Sequence, residues 1–180
     1  YPEFQSAAIN GPIPDFYIHD NLFRDTFDAL TVEAGTTNAR IVENVFKNIR
    51  DDAINLSTGI GNVEIAHNML WHVMGGISNL SSDLAPGHVF IHHNVIDNSA
   101  YQRGGRPGNY REDNWPIWMV GSPFPSHDEG NKAAWWKLYN NTIVTRKDNG
   151  HEWSAAGPDN VTGNPEKYVY NNIFYIFDER

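Results

Sequence analysis

Apolar and polar residues are arranged around a recurring asparagine along the chain. The frame is an aliphatic residue, two variable residues, asparagine, one variable residue and a large apolar residue. In several repeats apolar residues stand three and five positions before the asparagine, which is the period-two pattern of a strand with one buried face. The frame recurs at Ile18–Phe23, Ile41–Phe46, Ile65–Leu70, Ile91–Ile96, Leu138–Ile143 and Val169–Phe174.

A second pattern recurs between these frames. It is a small residue followed by an aliphatic one, at Ala8-Ile9, Ala29-Leu30, Ala53-Ile54 and Gly76-Ile77. The interval between repeats is near-constant at about 24 residues up to Asn94 and longer afterwards. Each repeat therefore supplies at least two short strands. Helices are not indicated, because the segments are short, rich in β-branched residues and broken by Gly, Asn and Asp.

The repeats predict an all-β fold, a parallel β-helix of about 6–7 coils. One repeat cannot bury its apolar face alone, whereas stacked repeats pair each strand with its equivalents above and below. Asparagine suits the repeated corner, because it tolerates the left-handed conformation and its amide can bond to the next asparagine. We expect an asparagine ladder formed by Asn21, Asn44, Asn68, Asn94, Asn141 and Asn172. A leucine-rich repeat is not indicated, since the repeats lack its several leucines.

The frame and the strand Asp52-Ala53-Ile54 resemble the repeats of the pectate-lyase-like right-handed parallel β-helix superfamily. The resemblance covers roughly residues 4–98 and 135–176. It implies a right-handed solenoid, a fold used by polysaccharide lyases, glycoside hydrolases, phage tailspikes and surface proteins. The Asn-Thr-Asp and Gly-His-Gly signature of polygalacturonase-like hydrolases is not found. The stretch Arg103-Gly104-Gly105-Arg106-Pro107 only loosely matches the Arg-x-Pro-x-x-Arg motif of pectate lyases.

Composition limits the partners that the chain can bind. Its formal net charge is −9 and no run rich in Lys or Arg occurs, so we expect no nucleic-acid partner. No apolar run approaches the roughly 20 residues that cross a bilayer, so we expect no membrane span. The lack of cysteine excludes a disulfide scaffold and a thiolate metal site. An acidic polysaccharide would need a local basic patch or a bridging cation on this acidic protein.

We expect residues 1–180 to form a single β-helix fragment of a longer chain, since neither an initiator Met nor a signal peptide opens the sequence. Two segments interrupt the repeats, residues 99–134 and residues 147–167, and both are expected to be inserted loops. Uncapped ends would expose unpaired strand edges, so end-to-end self-association is one way in which they could be covered.

Outward columns of the stack are the places to search for chemistry, because equivalent positions lie about 4.8 Å apart and can face an extended polymer. A lyase acting on a uronate needs a base and a cation that neutralises the carboxylate. Arg24 or Lys47 could supply the cation and His72 the base, with Trp71 contacting substrate. The alternative is that these are ordinary solvated residues. The two columns after the ladder asparagines are Arg24, Lys47, Trp71, Asp97 and Asp25, Asn48, His72, Asn98.

A hydrolase needs two carboxyl groups about 5–9.5 Å apart. Asp28 and Asp52 occupy equivalent places before the second pattern, which would put them about 5 Å apart. Aspartate is also a common turn residue at such a position. With Asp25 and Asp51, these acids could instead coordinate Ca²⁺ as a cofactor.

Histidines and a long insertion complete the candidates. The histidines near the ladder, which could bind a transition metal or simply line the corner, are His19, His67, His92 and His93. Aromatic side chains stack on sugars and arginines pair with carboxylates or sulfates, so segment 99–134 could form the wall of a saccharide groove. Its tryptophans could equally cover an apolar side of the stack. The candidate substrate-binding residues there are Arg103, Arg106, Arg111, Trp115 and Trp118.

Together these features predict an extracellular carbohydrate-active β-helix that binds or cleaves a polysaccharide, as a lyase or a glycoside hydrolase. Such a protein would be secreted or held at the cell surface. The alternative is a non-catalytic structural, adhesion or filament-forming surface protein that uses the solenoid as a rigid rod.

Overall fold

The structure, a computed structural model, describes residues 7–11, 13–33, 35–56, 62–79, 88–97, 99, 115–119, 135–146, 157–158 and 166–177. Within these ranges the chain is all-β and without helix, which confirms that part of the prediction. It follows that no described helix has the length and apolar character that crossing a membrane requires.

The strands are short except for two that continue round a bend. From the N-terminal side they are β1 (Ala7–Gly11), β2 (Phe16–His19), β3 (Leu22–Arg24), β4 (Asp28–Val32), β5 (Asn38–Val42), β6 (Val45–Leu56), β7 (Asn62–Ala66) and β8 (Met69–Asn79). They continue with β9 (Val89–His92), β10 (Val95–Asp97), β11 (Trp115–Met119), β12 (Trp135–Tyr139), β13 (Thr142–Arg146), β14 (Gly157–Pro158), β15 (Glu166–Tyr170) and β16 (Ile173–Phe177).

These strands form two sheets, and the pairings described within them are parallel. The six-stranded sheet has the order β15-β12-β9-β7-β5-β2. The ten-stranded sheet follows β1-β4-β6-β8-β10-β13-β16, with β3 against β6, β11 against β8 and β14 against β11. Neighbouring strands come from neighbouring repeats, so equivalent residues of the frame lie side by side, as Ile41 and Ile65 do.

The apolar positions of the frame form the core. The rings of Phe23 and Phe46, from adjacent repeats, stack with centroids 4.9 Å apart at 8°. Removal of these columns from water is the main source of stability, at about 25 cal/mol per Å² of apolar surface. The buried columns contain Ile41, Ile65, Ile91 and Leu138 from the six-stranded sheet, and Phe23, Phe46, Leu70, Ile96 and Ile143 from the ten-stranded sheet. The second pattern adds Ala29, Leu30, Ala53, Ile54 and Ile77.

Asparagine side chains connect the repeats at the junction between the two sheets. Asn44 shows the arrangement: its main-chain N–H and its Nδ2 both donate to Asn68 Oδ1, at 3.0 and 3.1 Å. The Nδ2 also donates to the carbonyl of Ile18 in the preceding repeat, at 2.9 Å. The same side-chain contact links all six ladder asparagines, which confirms the predicted hydrogen bonding. The amides of Asn44, Asn68, Asn94 and Asn141 are buried and satisfied, so they add order to the core without an unpaired polar group.

The left-handed corner residue is not the one that the sequence suggests. None of the six ladder asparagines has a positive φ, and the residue immediately before each of them does. The ladder amide must point inward to meet its partners, so the outward residue before it makes the turn. The first left-handed column is Asp20, Glu43, His67, His93, Asn140 and Asn171, and a second one is Asp25, Asn48 and His72.

Part of each expected insertion extends the ten-stranded sheet. Residues 115–119, inside segment 99–134, form β11, in which Ile117 lies beside Ile77 of β8. Residues 157–158, inside segment 147–167, form β14, which pairs with β11. Residues 100–114, 120–134, 147–156 and 159–165 lie outside the described residues.

Candidate functional site

Four side chains line one outward column of the ten-stranded sheet. We call it the basic-aromatic strip: Arg24, Lys47, Trp71 and Asp97. The register places Arg24 beside Lys47, Lys47 beside Trp71, and Trp71 beside Asp97. The strip follows directly from the frame, because each member stands one residue after the buried apolar position and so faces the opposite side of its strand.

Lysine, tryptophan and histidine come together in the middle of this strip. Lys47 Nζ lies 4.6 Å from the centre of the Trp71 ring, a cation–π contact. The His72 ring is 4.6 Å from the Trp71 ring and tilted by 49°. Trp71 remains 37% exposed. The structure thus brings together three of the residues that the lyase hypothesis needs, around an indole that is accessible to a ligand.

Two of the left-handed residues that follow the strip, Asp25 and Asn48, contact each other, and Asp25 also contacts Arg24. Asn48 Nδ2 donates to Asp25 Oδ1 at 3.0 Å, and Arg24 Nε lies 3.8 Å from Asp25 Oδ2. Both members of the Arg24–Asp25 pair are well exposed, so the attraction between them is weak and screened by salt. Arg24 therefore stays available to an anionic ligand.

Three of the four predicted calcium ligands lie together, and we call them the acidic group: Asp28, Asp51 and Asp52. One carboxylate oxygen from each residue lies within 4.8 Å of one from each of the other two. The main-chain N–H of Asp52 donates to Asp28 Oδ1 at 3.2 Å, which fits the predicted equivalence of the two positions. Asp25, the fourth candidate, contacts Asn48 and Arg24 instead.

Burial shapes the chemistry of the acidic group. It raises the pKa of Asp28, and the hydrogen bond from Asp52 only partly offsets this effect. Asp52 is 2% exposed, so its side chain is not on the surface that a polymer would contact. The carboxylates have the donor chemistry that Ca²⁺ prefers. As an acid pair for glycoside hydrolysis, Asp28 and Asp52 are poorly placed because one of them is covered.

Of the predicted groove wall, the structure describes only a part. Arg103, Arg106 and Arg111 lie outside the described residues. Trp115 and Trp118 belong to β11, where their backbones lie beside Gly75 and Ser78.

A second polar group lies on the outer face of the six-stranded sheet. Arg40 Nε is 2.6 Å from Glu64 Oε2, and His92 Nε2 is 3.3 Å from Glu64 Oε1. Partial burial raises the pKa of Glu64, but the hydrogen bond and charge of Arg40, with a smaller effect of His92, outweigh it and hold the pKa below its usual range. Burial lowers the pKa of His92 despite the opposing effect of Glu64, so its imidazole is neutral at pH 7.

His92 belongs to a set of three imidazoles, the histidine cluster: His67, His92 and His93. Their possible ligand atoms lie within 4.8 Å of one another. His67 and His93 stack with centroids 4.9 Å apart, while His92 is perpendicular to His93. His19, the fourth histidine near the ladder, contacts Asp20 instead, at 2.7 Å.

Aromatic rings flank the histidine cluster along the same sheet. Tyr139 stacks on His92 at 4.8 Å and on Tyr170 at 5.1 Å. On the other side, the guanidinium of Arg40 lies 5.1 Å from the Tyr17 ring. Sequence reasoning singled out the histidines but not Arg40, Glu64 or Tyr139. The available signal was that Arg40 and Glu64 each stand one residue before the aliphatic position of their frames.

No family model, curated protein or solved structure matches the chain.

Proposed function

We propose that the chain is a segment of a right-handed parallel β-helix of about 6–7 coils. Several observations support this. Equivalent strands of successive repeats lie side by side in two parallel sheets, and one chain of asparagine hydrogen bonds joins the repeats. The two left-handed columns supply regular corners at which the chain changes direction.

The function that the geometry supports best is binding of an extended anionic polysaccharide along the basic-aromatic strip. The observation that carries this proposal is the exposed Trp71 ring, with Lys47 Nζ 4.6 Å from its centre and the tilted His72 ring 4.6 Å away. An indole face binds the apolar face of a sugar ring, and an ammonium pairs with a carboxylate or sulfate on the same sugar. No other exposed indole is described among the residues whose side chains the structure gives.

The length of the strip suits a polymer rather than a single sugar. Its residues come from β3, β6, β8 and β10, and three strand spacings of about 4.8 Å give a length of about 14 Å. Arg24 and Lys47 provide local positive charge on a chain whose net charge is −9. Asp97 at the far end of the strip and Asp25 beside Arg24 carry the opposite charge, so the Arg24–Lys47 end is the part of the strip that favours an anionic polymer.

If the segment is also catalytic, the strip suits a lyase better than a hydrolase. Lys47 or Arg24 would neutralise the uronate carboxylate, and His72 would accept the proton from the carbon beside it. The acid pair that a hydrolase would need includes the covered Asp52. A polysaccharide substrate also implies a secreted or cell-surface location.

A second candidate function is that of a structural or adhesive rod, and one observation favours it. Val169 and Phe174 occupy the two apolar columns of the frame but are 49% and 41% exposed, whereas Leu138 and Ile143 in the preceding repeat are 2% and 0% exposed. An apolar sheet end of this kind suits stacking against another copy or against further chain.

The test is a binding and cleavage screen of the purified protein against uronate-containing, sulfated and neutral polysaccharides. Binding is measured by calorimetry, and cleavage by ultraviolet absorbance of unsaturated products and by reducing ends, with and without Ca²⁺. Trp71→Ala should weaken binding by about tenfold or more, which corresponds to about 1.4 kcal/mol. Lys137→Ala is the matched control, because Lys137 Nζ lies 5.7 Å over the Tyr168 ring on the other sheet.

Retained binding in Lys137→Ala and lost binding in Trp71→Ala would support the strip. Equal affinities in the wild type and Trp71→Ala would exclude it as the binding surface. No binding or cleavage across the panel, together with concentration-dependent assembly into rods, would favour the structural function.

A further inference from the structure

His67 and His93 occupy equivalent places in adjacent repeats. Each stands directly before a ladder asparagine in the left-handed conformation, with φ of 57° and 54°. Their rings are held one above the other by the parallel register, at a centroid distance of 4.9 Å and an angle of 18°. Both residues are exposed, so small solutes can reach the stacked rings.

His92 adds a third imidazole from the end of β9. Its Nδ1 lies 2.9 Å from His93 Nδ1. Two imidazole nitrogens this close share either a proton or a cation. With metal–nitrogen bonds of about 2.0–2.1 Å, two ligands lie about 2.9 Å apart at the right angle of a tetragonal Cu²⁺ site and about 3.3 Å apart at the tetrahedral angle of Zn²⁺. One ring nitrogen of His67 lies within 4.8 Å of a ring nitrogen of each of the other two, so rotation of the exposed His67 side chain suffices to bring it to the same ion.

Glu64 fixes the orientation of His92. The carboxylate accepts from His92 Nε2 at 3.3 Å, which leaves the Nδ1 lone pair directed towards His93. Arg40 holds the other carboxylate oxygen at 2.6 Å, so Glu64 is itself oriented. A carboxylate that accepts the second N–H of a ligating histidine is a regular feature of protein metal sites, where it sets the tautomer and the ring orientation.

We propose that His67, His92 and His93 form a binding site for a divalent transition-metal ion, with Zn²⁺ or Cu²⁺ as the ions best suited to three imidazoles. Neutral imidazole is a preferred ligand of both ions. Three protein nitrogens leave coordination positions for water or an oxygen ligand. The site lies on the six-stranded sheet, whereas the basic-aromatic strip lies on the ten-stranded sheet, so this proposal stands independently of saccharide binding.

The alternative state of the cluster is a chain of hydrogen bonds between neutral histidines. Asn140 Nδ2 lies 3.3 Å from His93 Nε2 and can donate to it, His93 Nδ1–H can then donate to His92 Nδ1, and His92 Nε2–H donates to Glu64. With a metal on His93 Nδ1 the ring proton is on Nε2, and Nε2–H donates a hydrogen bond to the Asn140 amide oxygen once that amide is flipped. A direct binding measurement distinguishes the two states.

The experiment is calorimetric titration of tag-free protein, dialysed against EDTA and then buffer, with ZnCl₂. We expect one Zn²⁺ per chain. His67→Asn and His93→Asn should each lower the affinity at least tenfold, since each removes one nitrogen ligand. Asparagine is the matched replacement because it tolerates the left-handed backbone and already occupies the equivalent positions 140 and 171.

The control is His72→Asn, which removes a left-handed histidine from the other column, where the equivalent residue is Asn48. It should bind Zn²⁺ like the wild type. Absence of binding in the wild type, or an equal loss in His72→Asn, would overturn the proposal. Melting curves without metal establish that the variants are folded.

A second measurement needs no variant. Zn²⁺ should protect His67 and His93 from carbethoxylation, mapped by mass spectrometry, while His19 and His72 stay reactive. Uniform protection of all four, or of none, would contradict a site at the cluster. Addition of Cu²⁺ gives a further check, because its electron paramagnetic resonance spectrum reports directly on nitrogen ligands.

Discussion

Asn68 Nδ2 donates to Asn94 Oδ1 at 3.0 Å, although the two residues are 26 positions apart in the chain. The other Asn68 amide proton goes to the carbonyl of Ile41, at 2.8 Å. Asn68 Oδ1 accepts from the main-chain N–H and the side chain of Asn44. One buried side chain thus satisfies polar groups in both neighbouring repeats.

Asn68→Ala should destabilise the fold strongly. It leaves the buried Asn44 N–H and the Ile41 carbonyl without their partners, and each such loss costs about 1–3 kcal/mol. We expect a loss of about 3 kcal/mol and a fall in Tm of roughly 6–12 °C. Thermal and urea unfolding followed by circular dichroism measure the change. Asn62→Ala, at the exposed first residue of β7, removes only two long hydrogen bonds, to Asn38 at 3.5 Å and from His88 at 3.4 Å, and should change stability by less than about 0.5 kcal/mol. An equal effect of both substitutions would show that the buried ladder contributes no more than an exposed asparagine.

Glu43→Gly should stabilise the protein. Glu43 is exposed and has a φ of 57°, a conformation that costs an L-residue about 1–2 kcal/mol and glycine almost nothing. The greater freedom of unfolded glycine returns about 0.5–1 kcal/mol of this, so the expected gain is about 0.5–1 kcal/mol. Val45→Gly, two residues later within β6, should be destabilising instead. If Glu43 forms the corner, the two substitutions change the free energy of unfolding in opposite directions. Urea unfolding of both variants measures these changes.

Asp28→Asn should stabilise the protein at pH 7 and have little effect at pH 3. Burial raises the pKa of Asp28, so the folded state favours the protonated acid, and stability falls as pH rises from the unfolded value of about 3.9 through the raised folded value. Asparagine keeps the oxygen that accepts from Asp52 and carries no charge. Unfolding in EDTA at both pH values measures the difference. A gain of equal size at pH 3 and pH 7 would show that ionisation is not the cause.

Binding of a uronate polysaccharide should weaken with salt through Lys47. An exposed ammonium paired with a carboxylate is screened once the Debye length falls from about 10 Å at 0.1 M to about 3 Å at 1 M salt. The dependence of log Kd on log salt should therefore be less steep in Lys47→Gln than in the wild type, and unchanged in Lys137→Gln. Identical slopes in all three proteins would mean that Lys47 does not contact the polymer.

The sequence predicts the structural features that recur in every repeat, namely the buried apolar columns and the asparagine ladder. Ile41, Ile65 and the ladder asparagines are recognisable because period-two patterning and a constant register put the same residue type in the same place. The strip from Arg24 to Asp97 follows by the same logic. The corner prediction is wrong because residue preference favours asparagine for the left-handed conformation, whereas the inward direction of the ladder amides gives that conformation to the residue before it, even where this is Glu43.

Contacts between different columns could not be predicted in this way. Glu64 lies beside Phe90 in the register, and its contact with His92 is diagonal, two residues further along β9. Such a contact depends on side-chain torsions that a repeat pattern does not specify. Strand β11 was also missed as a strand, because Trp115–Met119 lacks the asparagine of the frame.

Successive ladder asparagines keep hydrogen-bond distances of 2.9–3.1 Å while the sequence separation between them varies from 23 to 47 residues. The packing of the interior therefore does not fix the number of residues between two successive ladder asparagines. Evolution can lengthen a segment that connects two repeats by tens of residues, and a protein engineer can insert a loop into such a segment, without altering the hydrogen-bond partners of any ladder amide. The length of the connecting segments can therefore evolve independently of the stability of the interior.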